Sequence, residues 1–390
     1  MILTILSVVE WILFGIVAFS CLYVIFFAFI SVFPAKNQDN RPRPDTIHHH
    51  SFLVLFPAYA EDKVIIKSVT SFLNQDYPHD LFSVVVISDH MMPETNSTLS
   101  SLPVTLLCPD FSNSSKAKAL QYAVEKTHSH YDYILILDAD NIVQSHFLSS
   151  LNVICSDGFK AIQCHRKAKN EENGIAILDG LSEEINNTIF RKAHNIVGLS
   201  SALIGSGMCF DYIWFSQHVN KLSTNVEDRE IESFLLLEKI HIHYAEHLDV
   251  LDEKVSSADN FQHQRQRWMS GQFQAFCRMI RHIPYAVLHT NLDYIDKTLQ
   301  QILIPRSILI AFLPLMAIIL SPVSLQRSLR WCVLFALFSL SLTAAVPKQL
   351  RTFSSLRSLF SLPPLLWRMV VNLTRLNNSD KTFLHTNHSK

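Results

Sequence analysis

Residues Tyr131 to Val143 read YDYILILDADNIV. Tyr133 to Leu137 is an unbroken apolar block, the pattern of a strand covered on both faces in a parallel sheet. Asp138 and Asp140 follow at its carboxyl end, where open α/β sheets place their ligands. Two carboxylates about one small residue suit Mg²⁺ or Mn²⁺, which takes oxygen ligands and shares them with substrate phosphates. The alternative is that Asp138 caps a following helix and Asp140 is a solvated loop residue. On this stretch alone both readings stand.

Working outward, strand and helix patterns alternate. SFLVLFPAY (51–59) predicts a strand, Asp62 to Asn74 a helix ending near QDYP, and FSVVVISD (82–89) a second strand. Lys116 to Thr127 predicts a helix and YILILDAD a third strand. This order means βαβ units and an α/β fold around a mostly parallel sheet. Glu61, Asp89, Asp138 and Asp140 recur where these strands end. Independent helix caps need not converge, whereas residues at one sheet edge do.

The whole chain has 390 residues, 48% hydrophobic and 17% charged, with a formal net charge of -1. A nucleic-acid binder would show a basic excess, so that class is excluded. Ile2 to Phe33 carries only Glu10 as a charge and is long enough to cross a bilayer. A cleaved signal peptide fits poorly, because no basic residue precedes the apolar core and no small-x-small site follows it. Ile302–Leu320 and Leu329–Val346, joined by SPVSLQRSLR, predict a two-helix transmembrane hairpin. Beyond it, residues 348–376 mix basic and apolar residues in the manner of an interface helix.

Three spans leave residues 36–300 on the same side as the C-terminal tail. Lys36, Arg41 and Arg43 follow the first span, and Lys348, Arg351 and Arg357 follow the last. The positive-inside rule therefore puts the middle region in the cytoplasm, against the minority vote of Arg327 and Arg330. The expected organisation is an N-terminal transmembrane helix (1–34) and a cytoplasmic α/β domain (35–285). An interface helix with the hairpin (286–346) and an amphipathic helix with a tail (347–390) complete it. Seven cysteines without a C-x-x-C pair read as reduced core thiols. His48 to His50 read as the exposed entry to the first strand.

Three later segments carry chemistry: GSGMCF (205–210), NVEDREIE (225–232) and QRQRWMSGQ (264–272). Gln264 and Arg267 are three apart and would share a helix face. An arginine's planar fork matches a diphosphate. Trp268 offers a flat face on which a sugar can stack, or else a core or membrane-interface anchor.

With Asp89, Asp138-Ala139-Asp140, Glu227-Asp228 and Gln264-x-x-Arg267-Trp268 in order, the chain resembles the membrane-integrated family 2 glycosyltransferases. These include cellulose, hyaluronan and chitin synthases. PAYAED is similar to that family's P-A-Y-N-E-E turn, and the resemblance covers roughly residues 50–280. It implies a GT-A (Rossmann-like) fold, a UDP-sugar donor, Mg²⁺ or Mn²⁺, and inversion at the anomeric carbon. Ala58, Tyr59, Glu61 and Asp89 would hold the nucleoside, and Lys116 would lie on the phosphate side. Asp138 and Asp140 would hold the metal, and Asp138, Gln264 and Arg267 would bind the donor diphosphate. Asp228 would be the general base, with Glu227, Gly207 and Trp268 on the acceptor side. Ala60 stands where the family has Asn, His90 where it has a second acid, and Val226 where it has Thr.

A direct displacement needs a base for the acceptor's proton and positive charge for the departing diphosphate. The metal-ligand reading of Asp138 and Asp140 fits that need better than the cap reading. The expected acceptor is a growing β-linked cell-surface or exo-polysaccharide. Three spans are few for a secretion channel, so a polymer would require an oligomer or an export partner. The alternative is a single transfer to a membrane lipid, as in ceramide glucosyltransferases. A non-enzymatic glycan-binding scaffold ranks behind both. In the tail, Phe383, Thr386 and His388 resemble the F-x-V-T-x-K gating segment of cellulose synthases, with a frayed terminus as the alternative.

Overall fold

The structure, a computed structural model, describes residues 2–34, 48–170, 173–224, 226–255, 257–358 and Ser361. Among these, eight strands form one sheet. They are β1 (Phe52–Tyr59), β2 (Phe82–Asp89), β3 (Thr105–Leu107), β4 (Tyr133–Ile136), β5 (Ile142–Val143), β6 (Ala161–Ala168), β7 (Met208–Asp211) and β8 (Ile242–Asp252). Their order is β3-β2-β1-β4-β7-β6-β8-β5. The first four are mutually parallel. β7 runs antiparallel to both β4 and β6, β8 is parallel to β6, and β5 is antiparallel to β8. The sheet is mixed and largely parallel, as the alternating pattern predicts.

The apolar run of β1 is explained by burial on two faces. Phe52, Val54 and Phe56 enter one core, while Leu53 and Leu55 enter the other. Each such side chain contributes roughly 1.5–3 kcal/mol of transfer free energy. β4 ends at Ile136, earlier than the sequence pattern suggests. Leu137 N–H still donates to Leu55 O (3.0 Å), but Asp138 N–H turns instead to Asn141 Oδ1 (2.9 Å). A side chain thus ends the ladder and frees both aspartates for the loop. The three-residue β3 escapes sequence reading because so short a run between turn residues carries no period.

Among the described residues two helices are long and apolar enough to cross a membrane, Thr4–Ile30 and Leu325–Ala345. The expected hairpin partner is instead broken. Leu292–Ile302 and Arg306–Leu320 meet at a bend of 56° and amount to a third span only when taken together. Leu303 is extended there, Pro305 caps the helix that follows, and Arg306–Leu320 has 15 residues. At 1.5 Å per residue that helix is about 22 Å long, short of a roughly 30 Å hydrocarbon core. The Leu292–Ile302 helix turns Asp296, Lys297 and Gln300 inward and leaves Leu292 and Ile302 exposed.

The apolar helices pack on one another through Val17, Val24, Phe27, Leu313, Trp331 and Phe338, and on Ile189 and Ala193 of the segment that follows β6. Glu10 pairs with Arg330 and accepts from Trp331 Nε1 (2.9 Å), while Arg327 donates to Ser7 Oγ (2.9 Å). The two arginines that oppose the predicted orientation are thus held by the first helix.

Candidate active site

The carboxyl ends of β1 and β2 lie side by side, with Tyr59 in register with Asp89. Just past them the chain turns through positive φ at Ala60 (53°) and His90 (56°). The left-handed region costs a residue with a Cβ roughly 1–2 kcal/mol, and Asn tolerates it better than Ala. Ala60 N–H donates to Asp89 O (3.0 Å), which holds the turn. The Asp89 carboxylate is buried and pairs with His90 Nδ1 (2.6 Å), so the histidine that replaces a second acid caps the first.

These turns open onto a cavity of about 820 Å³. Ala58, Tyr59, Glu61 and Asp89 line it, as do Lys116, Asp138 and Asp140. Glu227, Asp228, Gln264, Arg267 and Trp268 complete the set. Gly207 lies outside this lining. A Cβ there would sit 3.0 Å from Val250 Cγ2 and 3.3 Å from Cys164 Cβ, so it is a close-packing position within the sheet. The glycine that faces the site is Gly205, whose φ is 78°. A Cβ on it would lie 3.9 Å from each of Lys116 Nζ, Glu227 Oε1 and Asp228 Oδ2. Phe383, Thr386 and His388 lie outside the described residues.

Lys116 opens the Lys116–Lys126 helix behind an N-cap at Ser115. Its Nζ donates to Asp138 Oδ1 (2.5 Å) and Gly205 O (2.6 Å) and lies 3.7 Å from Glu227 Oε1. Burial works against its charge, but the facing Asp138 and Glu227 carboxylates raise its pKa overall. Asp140 is buried and accepts from Glu253 N–H (2.8 Å) and Asn141 Nδ2 (3.1 Å). Asn141 also takes the Ser206 hydroxyl and reaches Asp252 Oδ1 (3.3 Å). This buried amide organises the aspartate loop, and its only sequence signal is its place directly after Asp140.

Among the described residues no group of three or more His, Cys, Asp or Glu side chains could hold a metal ion. Asp138 and Asp140 nevertheless fit a hard divalent cation that keeps most of its sites for phosphate and water. Gln264 Oε1 is buried without a hydrogen-bond partner among the described residues, a free acceptor for a ligand hydroxyl. Trp268 packs under the Arg265 guanidinium (4.5 Å), which donates to Asp179 (2.7 Å).

Glu227 has a pKa raised to about 7, by burial first and by Asp228 and Asp138 besides, with Lys116 opposing. The folded chain therefore keeps a proton that the unfolded chain has lost between about pH 4.5 and 7. Stability should fall as pH rises through that window. Glu227→Gln should flatten the slope, seen as thermal midpoints that no longer drop from pH 5 to 7; an unchanged slope would assign the proton to another group.

Gly271 sits in the Ala258–Met279 helix directly against Val226, and a Cβ there would collide with the Val226 side chain. The helix can therefore approach the turn before Glu227-Asp228 only without a side chain at 271. Gly271→Ala should shift that turn and lower kcat by up to about 10²-fold, the scale of a misplaced catalytic group. Adding Val226→Ala should restore most of it. If the double variant is no faster than the single one, the contact is not the cause.

The mixed, largely parallel α/β sheet, with acidic turns at the carboxyl ends of its parallel strands, is a GT-A-like fold. The model of the glycosyltransferase like family 2 matches residues 49–271, and the chain belongs to that family. Among solved structures it is similar to a mannosyltransferase from Pyrobaculum calidifontis in complex with GDP-Man and Mn²⁺. That pair shares 14% identity over 93% of this chain and 98% of the other, with a TM-score of 0.57. S. aureus TarS 1–349 in complex with UDP also matches, at 14% identity, 83% and 92% coverage and a TM-score of 0.43. No curated protein matches the chain in sequence.

Proposed function

We propose that the chain is a membrane-integrated, inverting glycosyltransferase with its catalytic domain on the cytoplasmic face. It takes a sugar from a UDP-sugar, UDP-Glc or UDP-GlcNAc. One observation carries the reading: Lys116, Glu227 and Asp228 converge about Gly205 in the cavity that Asp138 and Asp140 line. The acceptor hydroxyl oxygen attacks the anomeric carbon while Asp228 takes its proton. The bond from that carbon to the β-phosphate oxygen breaks, and its electron pair leaves with UDP. Lys116 and Arg267 supply positive charge to the diphosphate. Ala58, Tyr59, Glu61 and Asp89 hold the nucleoside, and Trp268 and Glu227 face the acceptor. Asp138 and Asp140 would hold Mg²⁺ or Mn²⁺, which supplies Lewis-acid stabilisation of the departing charge. The mannosyltransferase neighbour's GDP-Man and Mn²⁺ are consistent with a nucleotide-sugar donor and a divalent metal in general.

The test is a panel of UDP-sugars with Mg²⁺ or Mn²⁺, read by UDP release and by the anomeric configuration of the product. Consumption of a UDP-sugar with inversion is expected; retention, or no consumption of any, overturns the reading. Two acceptors suit this chemistry, a growing glycan and a membrane lipid, and they differ in what the far part of the cavity must accept.

A further inference from the structure

The cavity does not end at the charged groups. It continues along Val24, Ile185, Phe190, Ile304, Ile310 and Leu342. Val24 belongs to the first apolar helix and Leu342 to the last, and Ile310 belongs to the second half of the bent pair. All six belong to or pack on the core of the three apolar helices. The charged site therefore opens directly onto the inner surface of the elements that are apolar enough to enter a bilayer. Where the two parts meet stands Arg306, at the first residue of its helix. Its Nη2 donates to Ser182 O (3.1 Å), Ser182 Oγ (3.3 Å) and Asn186 Oδ1 (2.7 Å), all neutral acceptors. Its Nη1 is buried and has no hydrogen-bond partner among the described residues, although Arg306 lines the cavity.

We infer that the acceptor is a hydroxyl-bearing membrane lipid whose hydrocarbon chain lies in the apolar part of the cavity. Its headgroup oxygen accepts from Arg306 Nη1, and its hydroxyl reaches Asp228. This deepens, and rests on, the glycosyl-transfer reading above. A glycan suits the apolar side chains of this space poorly, although Ser307, Thr343 and Thr352 also line the cavity. Sugar hydroxyls against Leu, Ile, Val and Phe would lose their water without gaining partners, at about 1–3 kcal/mol for each unmade bond. A hydrocarbon chain is stabilised there by the same apolar surface. An orphaned guanidinium donor at the boundary is what a headgroup oxygen would satisfy.

The experiment uses the full chain in detergent with radiolabelled UDP-sugars and Mn²⁺. One arm adds phosphatidylcholine vesicles carrying ceramide, diacylglycerol or phosphatidylinositol; the other adds water-soluble cello- and chito-oligosaccharides. Label is expected in a single organic-soluble species in the vesicle arm. Leu342→Trp and Ile310→Trp, which fill the apolar part from two helices, should each lower that product by at least about tenfold while UDP still binds. A water-soluble ladder, or organic-soluble product made equally well by both Trp variants, overturns the lipid inference and leaves sugar transfer standing. If no UDP-sugar binds or is consumed in either arm, it is the glycosyl-transfer reading that fails.

Discussion

Asp228→Asn should abolish sugar transfer while leaving UDP binding close to that of the wild-type chain. The amide keeps the shape of the side chain, and its Oδ1 can still accept from Arg229 N–H, a bond of 2.8 Å to the native carboxylate. What it loses is the capacity to take the acceptor's proton, a function whose removal costs about 10²–10⁴ in rate. Glu227 is the control, because it stands next in the chain and its Oε1 faces the same Gly205. Glu227→Gln should slow transfer less than Asp228→Asn does. The reverse order in single-turnover rates would move the general base one residue back, to the group whose pKa is raised to about 7.

Removing Asp140 should act on binding rather than on the proton. Asp140→Ala should eliminate Mn²⁺-dependent UDP binding and lower turnover by more than about 10²-fold, beyond the loss usual for a residue behind a metal ligand. The carboxylate also accepts from Glu253 N–H and so ties the aspartate loop to the exit of β8. Asp140→Asn separates the two roles, since its amide oxygen can still take that N–H. Its thermal midpoint should stay near wild type while titration calorimetry shows no Mn²⁺ effect on UDP affinity. Strong, Mn²⁺-responsive UDP binding by Asp140→Asn would put the metal elsewhere.

The parallel half of the fold was legible in the chain. A strand buried on two faces must be apolar at every position, and Phe52–Phe56 and Tyr133–Leu137 are. The acidic residues that end such strands stood out because the apolar runs before them carry no charge. The ordered motifs Asp89, Asp138-x-Asp140, Glu227-Asp228 and Gln264-x-x-Arg267-Trp268 likewise named the lining before any geometry did. Tertiary structure decided what depends on neighbours distant in sequence. Gly205 rather than Gly207 faces the charges, because β7 packs Gly207 against Val250 and Cys164. Asn141 ends β4 by competing for one backbone N–H. Pro305 and the extended Leu303 split an apolar run that hydropathy reads as continuous. The apolar extension of the cavity, with Arg306 at its boundary, is built from residues as far apart as Val24 and Leu342. Hydrophobic periodicity reports that a face is buried but not against what, so a surface shared by three separate helices leaves no mark in any one of them.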